Sequence, residues 1–233
     1  MMKNLSAIIV AARSGRRLRT PIPMLPFGDT TVLGRTLRAY LDAKFSEVIV
    51  VLGYRGEEIR ASLGDLGSKL VTVQAPAGDE PYADLLRLGV ERLSGAAKAF
   101  AIGRGDQPLL GKEILTELGT AYAATKGKIL VPTWQGSVGQ PVFFDVSLAS
   151  DFRRLAAPAE IWDVIKTHAK QVEDREVQYT AVVQGIEDRD DYFDALRCAG
   201  LPVPKSAPRP ESTEAAGTGT PGEDPLGTFS FGG

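Results

Sequence analysis

The stretch AARSGRRLRTPIPMLPFGD, residues 11–29, sets four arginines, Arg13, Arg16, Arg17 and Arg19, into seven positions directly after the apolar run LSAIIVA. A basic turn between a buried strand and a helix is where many nucleotide-binding chains hold phosphate, through backbone amides and fixed positive charge. Glycine usually lines such a turn because the amides must approach the oxygens closely, and a lysine usually supplies the charge. Here Gly15 is the one glycine among the arginines, and the stretch has no lysine. Arginine binds phosphate bidentately and stays charged, so anion binding is open to this loop. The alternative is a solvated loop whose side-chain stems lie along the surface. A second group able to do chemistry is GRGDQP, where Asp106 follows the apolar run AFAIG. A carboxylate there can hold Mg²⁺ together with phosphates and waters, or simply cap the next loop. The single His168 and single Cys198 exclude an internal disulfide and a cysteine-cluster metal site and leave almost nothing for a histidine-driven triad. Cys198 is expected to pack near the end of the last helix.

The elements that must position these groups are legible as alternating runs. LSAIIVA (5–11), EVIVVLG (47–53), LVTVQ (70–74), AFAIG (99–103) and KILVP (128–132) are strand-sized and nearly continuously apolar. Between them, TTVLGRTLRAYLDAKF puts Val32, Leu33, Thr36, Leu37, Tyr40 and Leu41 on one helical stripe, with Thr30 or Thr31 as cap. DEPYADLLRLGVERL predicts a helix with Asp79 as N-cap and Pro81 in its first turn, and GKEILTELGTAYAAT a further helix. Buried strands alternating with helices predict an α/β fold, a mostly parallel twisted sheet covered on both faces. Ligands of such sheets bind at the carboxyl ends of the strands, which singles out the loops after residues 11, 74 and 103.

The chain has 233 residues, 43% of them hydrophobic, enough for one substantial core. A net charge of −2 gives it no general attraction for nucleic acid or anionic membrane. The apolar part of the N-terminal segment is short for a signal peptide, so a cytoplasmic location is expected. The α/β domain is expected over residues 1–203. Residues 204–224, rich in Pro, Gly, Ser and Thr, read as a disordered linker spanning about 25 Å. PLGTFSFGG (225–233) then returns Leu226, Phe229 and Phe231. This is either a frayed or folded-back end, or a peptide that a protein partner binds as an extended strand with alternate side chains in pockets.

The first loop, continued through LPFGDTTVL, RTLRAYLDA and VIVVLGY, with GDQPLL (105–110) and GQPVFF (139–144), resembles the molybdenum cofactor cytidylyltransferases. They stand within the wider family of molybdopterin and sugar-phosphate nucleotidyltransferases, and the resemblance runs over most of residues 5–196. It implies a three-layer α/β/α fold, transfer of a nucleotide from an NTP to a pterin phosphate with Mg²⁺, and a magnesium ligand at Asp106. Ala11, Ala12, Arg17 and Pro21 keep the family's loop pattern. Arg13 and Arg19 stand at its glycine positions, Gly15 at a serine and Ile22 at its lysine. Further on, Ala75-Pro76, Pro81-Tyr82 and Leu85-Leu86 replace Asn-Pro, Gly-Met and Ser-Leu pairs. APAEIW (157–162) replaces a glycine- and charge-bearing turn. GIEDRDDY (185–192) keeps Asp191 and Tyr192, but Gly185 replaces one acidic residue of the family and Glu187 another.

Three readings follow. The first is a degenerate nucleotidyltransferase, its catalysis lost or much reduced, serving as a binding or scaffold protein. The second is an active transferase in which the arginine loop (Ala11, Ala12, Arg13, Gly15, Arg16, Arg17, Arg19) binds NTP phosphates, with Mg²⁺ and a pterin-type substrate. The third, compatible with the first, is a cargo or adaptor protein attached through Leu226, Phe229 and Phe231. Mg²⁺ is required only by the second.

Overall fold

Strands form where β-branched and aliphatic residues run continuously, because both faces of such a strand can be covered. A computed structural model of the chain describes residues 4–12, 20–76 and 80–204. Its strands are β1 (Leu5–Ala11), β2 (Pro26–Phe27), β3 (Thr30–Thr31), β4 (Glu47–Leu52), β5 (Leu70–Gln74), β6 (Ala99–Arg104), β7 (Ile129–Trp134), β8 (Ser137–Val138), β9 (Val142–Asp145) and β10 (Val172–Glu176). Its helices are α1 (Val32–Asp42), α2 (Gly56–Ser62), α3 (Tyr82–Glu91), α4 (Lys112–Ala124), α5 (Ala149–Arg153), α6 (Ile161–Thr167) and α7 (Arg189–Cys198). Arg13, Gly15, Arg16, Arg17 and Arg19, and the segment holding Leu226, Phe229 and Phe231, lie outside the described residues.

The main sheet runs β10-β7-β9-β6-β1-β4-β5, with β8 on β7. β1 pairs in parallel with β4 on one side and β6 on the other, β4 with β5, and β10 with β7. β9 is antiparallel between β6 and β7. The register aligns Ile8 with Ile49 and Ile102, and Val10 with Arg104. Alternation along β1 sends Ala7, Ile9 and Ala11 into one buried cluster with α1 and α4, and Ile8 into another with α3, α5 and α6. The result is the expected three-layer α/β/α arrangement. In the second layer Phe100, Phe144 and Phe152 pack at ring separations of 4.9–5.5 Å, two of the three contacts edge to face. The compact unit extends over Met1–Val203.

α1 starts as the sequence requires, with the Thr31 side chain accepting from the Gly34 amide at 3.1 Å. The start of α3 differs from expectation. Pro81 is itself the N-cap, and among the described residues no side chain caps the helix. Proline fixes φ and blocks the helix from running back through it, while Asp79 lies outside the described residues. Cys198 also differs: it is exposed at the end of α7 and not packed, because α7 buries Tyr192, Ala195 and Leu196 instead.

His168, at the end of α6, pairs its Nε2 with Asp151 of α5 at 2.8 Å, and Arg154 also bonds that carboxylate. Burial pushes the Asp151 carboxyl up, but the hydrogen bonds and charges of His168 and Arg154 outweigh it and hold it below its ordinary value of 3.8. A carboxyl depressed on folding adds stability above its unfolded value, and that stability is lost as pH falls through the folded one. Asp151→Asn is therefore expected to lower stability at neutral pH and to flatten the decline below about pH 4. Urea unfolding across pH 2–7 checks this, and a variant curve parallel to wild type would count against it.

Candidate functional site

The chain runs from β1 outward to β4 and β5, then returns to the other side of β1 as β6. This reversal leaves a crevice at the carboxyl ends of β1 and β6, where doubly wound sheets bind ligands. Ala11 and Ala12 end one wall, and Arg104, Gly105 and Asp106 end the other. The two walls touch: the Gly105 amide donates to Val10 O at 2.9 Å. A Cβ at Gly105 would lie 2.7 Å from the Ala11 Cβ and 3.0 Å from Leu33 Cδ1, so only glycine allows this approach.

Asp106 is 5% exposed, fixed at the strand end. Arg104 reaches it with a two-point grip, Nε to Oδ1 at 2.8 Å and Nη2 to Oδ2 at 3.0 Å. The same Nη2 donates to Glu187 Oε1 at 3.2 Å, from the segment just before α7. Burial alone would draw the Arg104 guanidinium down. The hydrogen bonds and charges of Asp106 and Glu187 outweigh it and hold the group above its ordinary range. Behind Asp106, Gln107 is buried and donates through Nε2 to Ala181 O (3.3 Å) and Val182 O (3.1 Å), while the Asp106 carbonyl accepts from the Ile186 amide at 3.0 Å. GDQP is thus fastened to the chain at 181–187, a contact that no spacing in the sequence reveals.

Ile22, at the family lysine position, lies in a short 3₁₀ turn after Pro21 and is 2% exposed. It belongs to an apolar cluster with Phe27, Val32, Ile186, Tyr192, Ala195 and Leu196. The structure therefore turns this position into the floor on which α7 packs. The two family residues retained near α7 are structural as well. Asp191 closes a capping box with Asp188 and accepts from the Glu187 amide at 2.9 Å, and Tyr192 Oη donates to Pro26 O at 2.6 Å. Ala75, Leu85 and Leu86 are buried in the second core cluster. The segment 157–162 places Glu160 as N-cap of α6, in a capping box with Asp163.

The resemblance implies a divalent ion at Asp106, and the described residues do not fit one. Mg²⁺ needs near-octahedral oxygen ligands at 2.0–2.1 Å. Both oxygens of Asp106 are gripped by a guanidinium, and Gly185 offers no ligand on the facing side. Among the described residues there is no cluster of three or more His, Cys, Asp or Glu able to hold a metal. None of their helices is long and apolar enough to cross a membrane. Arg104 is the residue the sequence reading missed; its signal was a charge at the last position of an otherwise buried strand.

These features define a doubly wound α/β domain of the nucleotidyltransferase type, with its crevice at the β1/β6 junction. The chain belongs to the family of the MobA-like NTP transferase domain, whose model matches residues 7–172. Rv0371c of Mycobacterium tuberculosis H37Rv is similar at 27% identity and a TM-score of 0.72, over 83% of this chain and 98% of that one. Its structure as a complex with manganese matches at 26% identity and a TM-score of 0.69, over the same shares of the two chains. The 4-diphosphocytidyl-2C-methyl-D-erythritol synthase of Anaerococcus prevotii DSM 20548 shares the fold, at 18% identity and a TM-score of 0.69 over 85% of this chain and 96% of that one. No curated relative matches the chain.

A lysine at position 22 would bury an ammonium in the cluster of Phe27, Val32, Ile186, Tyr192, Ala195 and Leu196. Ile22→Lys is expected to cost at least about 2 kcal/mol of stability, whereas Ile22→Met should cost less than about 1.5 kcal/mol. Chemical denaturation of the two variants decides this, and a lysine variant as stable as wild type would show that the position opens to the crevice.

Proposed function

We propose that this chain is a MobA-like NTP transferase fold whose catalysis is lost or much reduced, and that it works as a binding or scaffold protein. The observation that carries the reading is Ile22. Nucleotidyl transfer builds negative charge on the α-phosphate and the departing pyrophosphate, and a preorganised cation offsets it. At the family's lysine position stands an alkyl chain buried beneath α7. By analogy with losing one fixed donor, its absence lowers the rate by about 10²–10³. Attachment to a protein partner is assigned to residues 225–233, where Leu226, Phe229 and Phe231 supply the apolar side chains. A molybdenum-cofactor role and a cytoplasmic setting belong to this reading as ancestry and context.

A second reading is favoured by the four arginines of residues 13–19, which follow β1 directly in the sequence and carry cationic charge. Under it the chain is an active cytidylyltransferase-like enzyme that binds NTP phosphates with arginine and uses a divalent ion, as the manganese complex of Rv0371c makes reasonable for a relative.

Calorimetry with Mg-CTP, Mg-GTP and Mg-ATP separates the two. The first reading expects no binding in the micromolar range and no pyrophosphate release above background. Micromolar binding that Arg16→Ala or Arg17→Ala weakens at least tenfold would establish the second. For the attachment, pull-downs with the full chain and with a form lacking residues 222–233 should recover different proteins, and identical sets would remove it from the proposal.

A further inference from the structure

We propose that Arg104 is the resident cation of this crevice: its guanidinium takes the space and the charge that a divalent ion would need beside Asp106, and in doing so it ties β6 to the start of α7 without metal.

Three observations converge on this. Arg104 engages both oxygens of a buried carboxylate at 2.8 and 3.0 Å, the planar two-point geometry that arginine can adopt and lysine cannot. The same Nη2 reaches Glu187 at 3.2 Å, so one side chain spans the end of β6 and the segment leading into α7. Gly185 completes the arrangement. A Cβ built there would lie 2.4 Å from Nη2 and 2.6 Å from Cζ of Arg104, closer than real contacts. The direction of that missing Cβ matters. An acidic side chain at 185 would point at the spot the guanidinium fills, so the loss of a carboxylate at 185 and the presence of Arg104 are two halves of one exchange. A pair of carboxylates at 106 and 185 would call for a mobile dication; here the tethered guanidinium itself lies between the Asp106 and Glu187 carboxylates. Because arginine stays protonated at every working pH, the cation is permanent, and the coupling of β6 to α7 is independent of divalent supply. The inference does not depend on the fate of the lysine position, since an active transferase could carry the same arginine.

The test is a manganese titration of the full chain without nucleotide, followed by thermal unfolding and by loss of the free aquo-Mn²⁺ paramagnetic resonance signal. Wild type is expected to leave the signal unchanged and its Tm unmoved through millimolar MnCl₂. Arg104→Met, which takes the guanidinium away from both Asp106 oxygens, should lower Tm by about 5–10 °C, and Arg104→Lys should recover little of it. The double variant Arg104→Met, Gly185→Asp should gain near-stoichiometric Mn²⁺ binding and a Tm that rises with the ion. Stoichiometric Mn²⁺ binding by wild type, abolished by Asp106→Asn, would overturn the proposal. So would a folded double variant indifferent to Mn²⁺, since something other than the guanidinium would then be excluding the ion. Should the double variant not fold, the wild-type and Asp106→Asn titrations still decide the matter, and nucleotide calorimetry on wild type tests the functional reading separately.

Discussion

The close approach of β6 to the end of β1 governs the geometry of this crevice. Two parallel strands are held edge to edge by their ladder, and the last link, from the Gly105 amide to Val10 O, continues past the end of β6 itself. With no side chain at 105, the backbone can turn there while still touching Ala11 and Leu33. That turn fixes Asp106 at the strand end and leaves Arg104 one pleat earlier, on the opposite side of Gly105 in sequence but able to fold back onto the carboxylate. Everything at 181–192 is then organised around this corner: the Ile186 amide on the Asp106 carbonyl, Gln107 on two carbonyls of the 180–182 turn, and Glu187 on the guanidinium.

Residues that a family comparison marks as survivors have structural duties here. Asp191 satisfies amides at the start of α7, and Tyr192 anchors that helix to the hairpin of β2 and β3 through Pro26. Ile22 serves the same helix from below. The sheet and its two covering layers draw their stability from apolar burial and not from the crevice, so residues there can vary while the domain stays well built. The polar groups near the crevice are held by capping and ion pairing.

The sheet was legible because buried parallel strands are written as continuous β-branched runs. β1 and β5 fall where LSAIIVA and LVTVQ place them, and α1 is bounded by Thr31 as the capping pattern requires. β10 was not legible: its residues Val172–Glu176 are nearly all charged, since an edge strand is paired on one side only and needs no apolar signal. α3 starts at Tyr82, with Pro81 as its N-cap, because proline disfavours helical backbone in the residue before it. At the site, Asp106 was readable as a strand-end carboxylate, but its partners were not. Arg104 adjoins it in sequence, whereas Glu187 and Gly185 arrive from about eighty residues away, and only the fold reveals that a glycine is where a guanidinium rests. The arginines of residues 13–19 were read by type and spacing alone.

β10 also gives the domain a particular surface at one margin of its sheet. Glu173 receives the Lys126 and Gly127 amides, and Glu176 receives the Gln135 amide and the Thr133 hydroxyl. These acids serve as acceptors, Arg175 pairs with Glu117 of α4 at 3.7 Å, and all four charged residues of the strand are exposed. A foreign strand approaching that margin would have to dehydrate several ionised groups to lengthen the sheet, with no apolar contact in return. The rim thus opposes extension of the sheet at this margin, and it does so with residues already occupied in holding neighbouring turns in place.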